Sequence, residues 1–333
     1  MNYVGLDYHK HTSYVTKLDE QGKVLSQFEM KNTIENIKGF SQSLQAGDQL
    51  AVEATGHWMY LYEQLEDSEA EFVLSHPKGT RAIASARLKN DKVDSKMLAD
   101  LLRTDLLPRA YIPPREIRDL REVLRLRAAL IQIRTSVKIR LRGILLKTGN
   151  DCPHADILSK SGLRYCGKVE VRDCYRLALN HWTQVGEDLN RQLEQMDWEL
   201  KKRAKSNPEA ELLMTIPGIG LYSALLILSE IGEISRFTYS DQLVSWAGLA
   251  PMIRKSSTHT IRGPITRQGS KYLRWILVEA VYNAVRGSKR FRHKYESVVS
   301  RRGKNKARTA VAALLLRSIH WMLVHKEPFK DVE

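Results

Sequence analysis

Four acidic residues stand where carboxylates are costly or closely spaced. Asp7 ends the apolar run that starts at Tyr3, and Glu53 ends another, Leu50-Ala51-Val52. A carboxylate at the end of an apolar strand costs free energy unless it is paired or bound to metal. Asp91 and Asp94 are three residues apart, so a helix would carry both on one face. Converging carboxylates repel one another unless a divalent cation sits among them, and an all-oxygen donor set suits Mg²⁺ or Mn²⁺. Two such ions ~3.5–4 Å apart would stabilise the attacking and leaving oxygens of a phosphodiester. Plainer roles exist for each residue. Asp91 as a helix N-cap and Asp94 in its first turn is ordinary capping and dipole chemistry. Asp7 alone could close a strand through a turn bond. The four together, in this order, favour metal.

His9 and His11 follow Asp7 in a turn and could ligate metal, but two lone histidines in a turn are more often solvated. The same turn lacks the glycines of an actin-like sugar kinase phosphate loop. A second candidate is Ser256-Ser257, in the Pro-, Ser- and Thr-rich stretch 251–266 with Arg254, Lys255, Arg262 and Arg267 nearby. A serine attacks phosphate only if its proton is removed and the developing charge is held. From spacing alone, a phosphate-contacting loop is the better reading of this stretch.

The elements that would position these residues follow from pattern. Tyr3 to Asp7, Ser13 to Leu18 and Val24 to Met30 read as strands, with a turn at Glu20 to Lys23. Thr33 to Leu44 has helical spacing with Asn32 available as its cap. Gln49 to Glu53 reads as a strand, Trp58 to Leu65 as a helix and Glu71 to Leu74 as a strand. That order is the order of a ribonuclease-H-like core, in which the strands ending in Asp7 and Glu53 are adjacent and parallel. A helical segment from Thr80 to Arg103, interrupted near Asn90-Asp91, completes an N-terminal α/β domain over 1–112.

From Arg115 to Lys147 the chain is helical, with ten Lys or Arg against Glu116, Asp119 and Glu122. Ile117, Leu120, Leu124, Ala128, Ile131 and Leu145 mark a packed seam. A second long helix, Leu179 to Lys205, carries Leu189, Leu193, Met196 and Leu200 on one stripe. Together they suggest an antiparallel coiled coil over 113–208. The remainder, 209–333, reads as mainly helical. Ile216-Pro217-Gly218-Ile219-Gly220 resembles a helix-hairpin-helix turn, a second basic cluster spans Arg286 to Arg308, and Thr309 to Val324 is a core helix.

The 333 residues carry 53 Lys and Arg against 38 Asp and Glu, a net charge of +15, which points to a polyanionic partner. A hydrophobic fraction of 43% supplies a sizeable core. Three cysteines make no disulfide framework or paired zinc site, and the expected compartment is reducing and cytoplasmic. The apolar runs fall short of the ~18 residues of a membrane span, and Asp7 interrupts what would be a signal peptide.

Val4-Gly5-Leu6-Asp7, Val52-Glu53-Ala54-Thr55-Gly56, Lys89 to Asp94 and Met97-Leu98-Ala99 resemble the catalytic half of a transposase family. Ile216 to Gly220, Ala247 to Pro251 and Ile265 to Arg274 look like its C-terminal half. The chain resembles the DEDD transposases of the insertion-sequence one-hundred-and-ten (IS110) type, bridge-RNA-guided serine recombinases. The resemblance implies a RuvC-like domain with the DEDD set on Asp7, Glu53, Asp91 and Asp94, and Mg²⁺ (or Mn²⁺) as cofactor. It also implies a nucleophilic serine that forms a covalent protein–DNA intermediate, followed by strand exchange that inserts and excises the element. Donor and target DNA, a guide RNA and further copies of the chain, as dimer to tetramer, are the implied partners, with the protein at the nucleoid. The family often has Ser-Gly where this chain has Ser256-Ser257. Counting from Pro251, Gly263 and Ile265-Thr266 selects Ser256, whereas counting back from Arg262 selects Ser257. Arg262, Arg267, Lys271 and Arg274 are the expected phosphate contacts. Two other functions compete: a RuvC-like junction-resolving nuclease using metal-activated water, and a non-catalytic nucleic-acid-binding protein.

Overall fold

The computed structural model describes residues 1–83, 90–204, 207–256 and 259–331. Ser257 lies outside the described residues, and Ser256 and Arg262 are described by their backbone alone. The chain divides into two units, Met1–Ile112 and Pro113–Glu333.

The first unit is a sheet with helices on both faces. Its elements are β1 (Tyr3–Tyr8), β2 (Thr12–Leu18), β3 (Val24–Lys31), α1 (Ile34–Ser43), β4 (Gln49–Glu53), α2 (Trp58–Gln64), β5 (Glu71–Ser75), α3 (Pro77–Ile83) and α4 (Asp91–Arg103). The strand order is β3-β2-β1-β4-β5, with β1 antiparallel to β2 and parallel to β4, and β4 parallel to β5. Strand side chains alternate between faces, so one sheet buries two sets of residues. Val4, Leu6, Leu50 and Val52 pack with Ile37 and Phe40 of α1 and Leu61 of α2. Ala51 and Val73 pack with Leu98, Leu101 and Leu102 of α4. The cap of α1 is Thr33, whose side chain accepts from the Asn36 N–H, and not Asn32 as expected. Asn32 is instead held by the β1–β2 turn, where it donates to the His9 carbonyl.

The second unit is mainly helical. It comprises α5 (Arg115–Lys147), α6 (Lys160–Lys168), α7 (Asp173–Arg203), α8 (Pro208–Met214), α9 (Leu221–Ile231), α10 (Ser240–Trp246), β6 (Pro251–Ser256), β7 (His259–Ile265), α11 (Lys271–Gly287), α12 (Lys289–Arg302) and α13 (Lys304–His325), with a short 3₁₀ turn at Ile234–Arg236. Helices α5 and α7 run antiparallel, since Arg127 meets Asp197 while Arg134, further along, meets Asn190. Their outer halves enclose Val137, Leu141, Leu145, Leu179 and Leu189 together with Cys152 and Cys166. At the other end Leu124 and Leu200 join the core of α9, α11 and α13. One long helix pair therefore serves two cores, which is why 113–208 and 209–333 fall within a single unit. Val137 and Leu141 complete the seam of α5, whereas Ile117 and Ile131 are only half-buried.

Within the stretch expected as a loop, Pro251–Ser256 and His259–Ile265 pair as antiparallel strands, with Arg254 opposite Ile261 and Ser256 opposite His259. Helix α13 is long and apolar enough to cross a membrane by length and composition, but 61% of that window is buried inside the unit. Its apolar character is that of a core helix.

Candidate active site

Strand β1 is central and buried on both faces, so its residue choices govern how closely a helix can approach. Gly5 is the decisive one. A Cβ there would lie 2.0 Å from the Ser95 carbonyl oxygen and 2.6 Å from the Ala99 nitrogen. Helix α4 thus rests directly on the β1 backbone, and Ser95 and Ala99 are the small residues that permit it. A buried polar chain fastens this packing: Ser95 Oγ and Thr16 Oγ1 are 2.8 Å apart, and Gln27 Nε2 donates to Thr16 Oγ1 at 3.0 Å. Asp7 shares the face of Gly5, two residues nearer the strand end. The first turn of α4, one turn before Ser95, therefore lies over Asp7. Asn90 caps that turn by accepting from the Val93 N–H at 2.8 Å, so the plainer alternative of Asp91 as the cap does not hold.

This geometry brings Asp7, Asp91 and His9 together. Their ligand atoms all lie within 4.8 Å of one another. His9 Nε2 is 3.3 Å from Asp7 Oδ2 and 3.6 Å from Asp91 Oδ1. Burial pushes the Asp7 carboxyl above the ordinary range, with the charges of Asp91 and Asp94 adding to the shift and His9 opposing it. Asp94 is thus close enough to be felt electrostatically. Glu53 ends β4, the parallel neighbour of β1, one residue beyond the paired Leu6 and Val52. It lies outside the cluster of three. The donor set fits a divalent cation: carboxylate oxygens suit a hard ion, and a cation offsets both the burial and the carboxylate repulsion that raise the Asp7 pKa. His9 is a candidate that sequence reasoning weighed as a metal ligand and set aside as a solvated turn histidine. The available signal was its position two residues after Asp7, which a tight β1–β2 turn folds back toward the strand end.

The expected phosphate contacts divide. Arg267 and Lys271 are exposed, and Arg267 holds a left-handed backbone (φ 55°). Arg274 has an architectural role, donating from Nη1 to the carbonyls of Ala247, Gln268 and Gly269. That knot ties the start of α11 to the segment before β6. Gly248 and Gly269 complete it, both at positive φ, each with backbone atoms where a Cβ would stand. The helix-hairpin-helix-like turn between α8 and α9 buries Ile216 and Ile219, while Gly218 takes φ 91° against the Ala280 carbonyl of α11.

Seven of the ten cations of α5 are buried or half-buried, while Arg115, Arg140 and Lys147 are exposed. Arg118 is buried and donates to the Pro113 carbonyl. Arg121 donates to the carbonyls of Ser229 and Glu230, and Arg125 forms a two-pronged pair with the buried Glu230 carboxylate. Arg127 does the same with Asp197, and Arg134 and Lys138 both reach Asp156. On α12 and its junction with α13, Arg292, Lys294, Arg301, Arg302, Lys304, Lys306 and Arg308 are exposed.

Residues 4–149 match a family model described as a transposase, the DEDD domain of the IS110 type. Residues 210–296 match another, described as the transposase IS116/IS110/IS902 family. The chain is 24% identical to the transposase for insertion sequence element IS1111A of Coxiella burnetii, across 98% of this chain and 91% of that protein. It is 27% identical to the transposase for insertion sequence element IS1328 of Yersinia enterocolitica, across 57% of each. A 31% identity to the pilin gene-inverting protein of Moraxella bovis covers 45% of this chain and 47% of that one.

Proposed function

The chain belongs to the IS110 family of transposases and acts on DNA in insertion-sequence transposition, and from that premise we propose two catalytic elements, a set of acidic residues in the first unit and a serine in the second. Asp7, Glu53, Asp91 and Asp94 hold divalent cations, Mg²⁺ in the cell with Mn²⁺ as a substitute. The observation that carries this is the convergence of Asp7, His9 and Asp91 where α4 crosses the end of β1. The β3-β2-β1-β4-β5 order, which is that of a ribonuclease-H-like, RuvC-type sheet, supports it. When bound, the cations supply Lewis-acid stabilisation of the phosphodiester oxygens. The carboxylates fix the position of that charge and accept protons from groups that react beside it.

Ser256 is the nucleophile. Its Oγ forms a bond to phosphorus as the bond to one deoxyribose oxygen breaks. That oxygen leaves on the departing strand end as a hydroxyl, taking up by way of water the proton that the serine gives up. Reversal of this step on a second DNA end exchanges strands without net hydrolysis. The relative named for pilin gene inversion favours such exchange over cleavage by water, since inversion rejoins what it cuts. The exposed cations of α12, with Arg267 and Lys271, contact phosphates of the DNA and of a bridge RNA that selects the sites. The α5–α7 pair acts as a coiled-coil arm for assembly into dimers or tetramers, working at the chromosome in the cytoplasm.

The test is a covalent adduct. The protein, expressed with its flanking DNA to supply any guide RNA, is given labelled junction DNA and Mg²⁺. A denaturation-resistant adduct that disappears in Ser256→Ala but persists in Ser257→Ala is the expected result. Disappearance only in Ser257→Ala moves the nucleophile by one residue. Cleavage without an adduct in all three proteins replaces serine chemistry with a water-using nuclease.

A further inference from the structure

We propose that His9 is a nitrogen donor to the divalent ion at Asp7 and Asp91, and that it biases this site toward Mn²⁺ over Mg²⁺. The inference rests on the reading above that the carboxylates hold metal, and it adds a ligand that a DEDD set of oxygens does not contain.

The geometry favours a shared ligand over a simple ion pair. His9 Nε2 faces both carboxylates, 3.3 Å from Asp7 Oδ2 and 3.6 Å from Asp91 Oδ1. Adjacent donors about 2.1 Å from one octahedral ion stand about 3 Å apart. The three atoms therefore need to move little to close on a cation. The His9 side chain is 53% exposed and that of Asp91 57%, which leaves open positions for water or a phosphate oxygen.

The turn that carries His9 is held from both sides. The His9 N–H donates to the Thr12 carbonyl at 3.1 Å, and Asn32 Nδ2 donates to the His9 carbonyl at 2.8 Å. Asn32 is in turn fixed at the end of β3: the buried Ser13 donates to its Oδ1 at 2.7 Å, and its own N–H donates to the His11 carbonyl at 2.8 Å. A solvated turn histidine needs no such bracing, whereas a ligand gains affinity from being held in place.

Chemistry then sets the preference. Mg²⁺ demands oxygen donors and keeps its waters, while imidazole suits transition ions. Replacing one oxygen position by Nε2 costs Mg²⁺ more than Mn²⁺.

The full-length protein is titrated with Mn²⁺ and with Mg²⁺ by calorimetry, and the Mn²⁺ form is studied by pulsed electron paramagnetic resonance. The expected result is a ¹⁴N coupling in wild type that changes on ¹⁵N-histidine labelling, a test that alters no side chain. His9→Gln should lose the coupling and lower Mn²⁺ affinity by at least the roughly tenfold typical of losing even an outer-shell partner. Its Mg²⁺ affinity should change far less. Asn32→Ala should weaken Mn²⁺ in the same direction by a smaller factor. Mn²⁺ bound without nitrogen coupling, or equal losses for both ions in His9→Gln, overturns the role of His9 while leaving the carboxylate site intact. If wild type and Asp7→Asn alike bind neither ion, the carboxylate reading fails and His9 falls with it.

Discussion

Helices α5 and α12 read alike in the sequence and behave as opposites in the fold. The first carries ten Lys or Arg against three acids, and the second six against Glu296 alone. Along α5, guanidinium groups reach the buried Glu230, Asp197, Asp156 and backbone carbonyls, and stack on Tyr222, Trp182 and Tyr272. Along α12 and into α13, Lys294, Arg301, Arg302, Lys304, Lys306 and Arg308 are exposed and form no ion pair among the described residues. Cations of the first kind hold a helix pair together, and those of the second kind remain free for phosphate. Net charge therefore overstates the nucleic-acid surface.

The sharpest way to break this comparison is at Glu230. Its carboxylate is 2% exposed and receives both prongs of Arg125. Burial works against the Arg125 charge, but Glu230 outweighs it and raises the arginine pKa. Glu230→Ala leaves that guanidinium without its partner and should cost about 3–5 kcal/mol in chemical denaturation. A cost within the surface range would mean that α5 is not held by its cations.

Asp156 gives a smaller effect with a pH signature. Burial opposes its charge, yet the bonds from Lys138, the Leu158 N–H and Arg134 outweigh it and hold the carboxyl at about 2. Its folded value lies below the unfolded one, so its contribution is present above pH ~4 and fades as the pH falls toward ~2. Because its side chain is 38% exposed, Asp156→Asn should cost only about 1 kcal/mol at neutral pH. The difference from wild type should close on acidification, as followed by urea denaturation across that window.

On α12 the stability effect should vanish and the binding effect appear. Neutralising Lys294 and Arg301 to Gln should shift stability by no more than about 0.5 kcal/mol. The salt dependence of duplex binding should flatten by about 0.9 in log–log slope for each phosphate that the variant no longer neutralises. A stability loss comparable to that of Glu230→Ala would erase the distinction between the helices.

Features set by local pattern were legible in the chain, and those set by distant partners were not. Apolar runs ending in Asp7 and Glu53 foretold adjacent parallel strands, because strand burial is written in consecutive residues. The spacing of Asp91 and Asp94 likewise foretold a shared helix face. The inward turn of Arg125 and Arg127 was not readable, since their acids lie 105 and 70 residues away. His9 was set aside as a solvated turn residue for a related reason: the brace on its turn comes from Asn32, just past the end of another strand. The cap of α1 fell on Thr33 because Asn32 was already engaged by that turn. The strand pair β6–β7 was hidden by its prolines, which read as loop although Pro251 begins β6 and Pro264 falls near the end of β7.

The central claim is that the acidic cluster at the end of β1 performs the chemistry, and Asp7→Asn tests it most directly. The substitution keeps the size of the side chain and removes the charge that burial already makes costly. Transposition between a donor and a target plasmid should be abolished, while salt-dependent DNA binding and the thermal unfolding midpoint stay close to wild type. Transposition at wild-type frequency in Asp7→Asn would contradict the account.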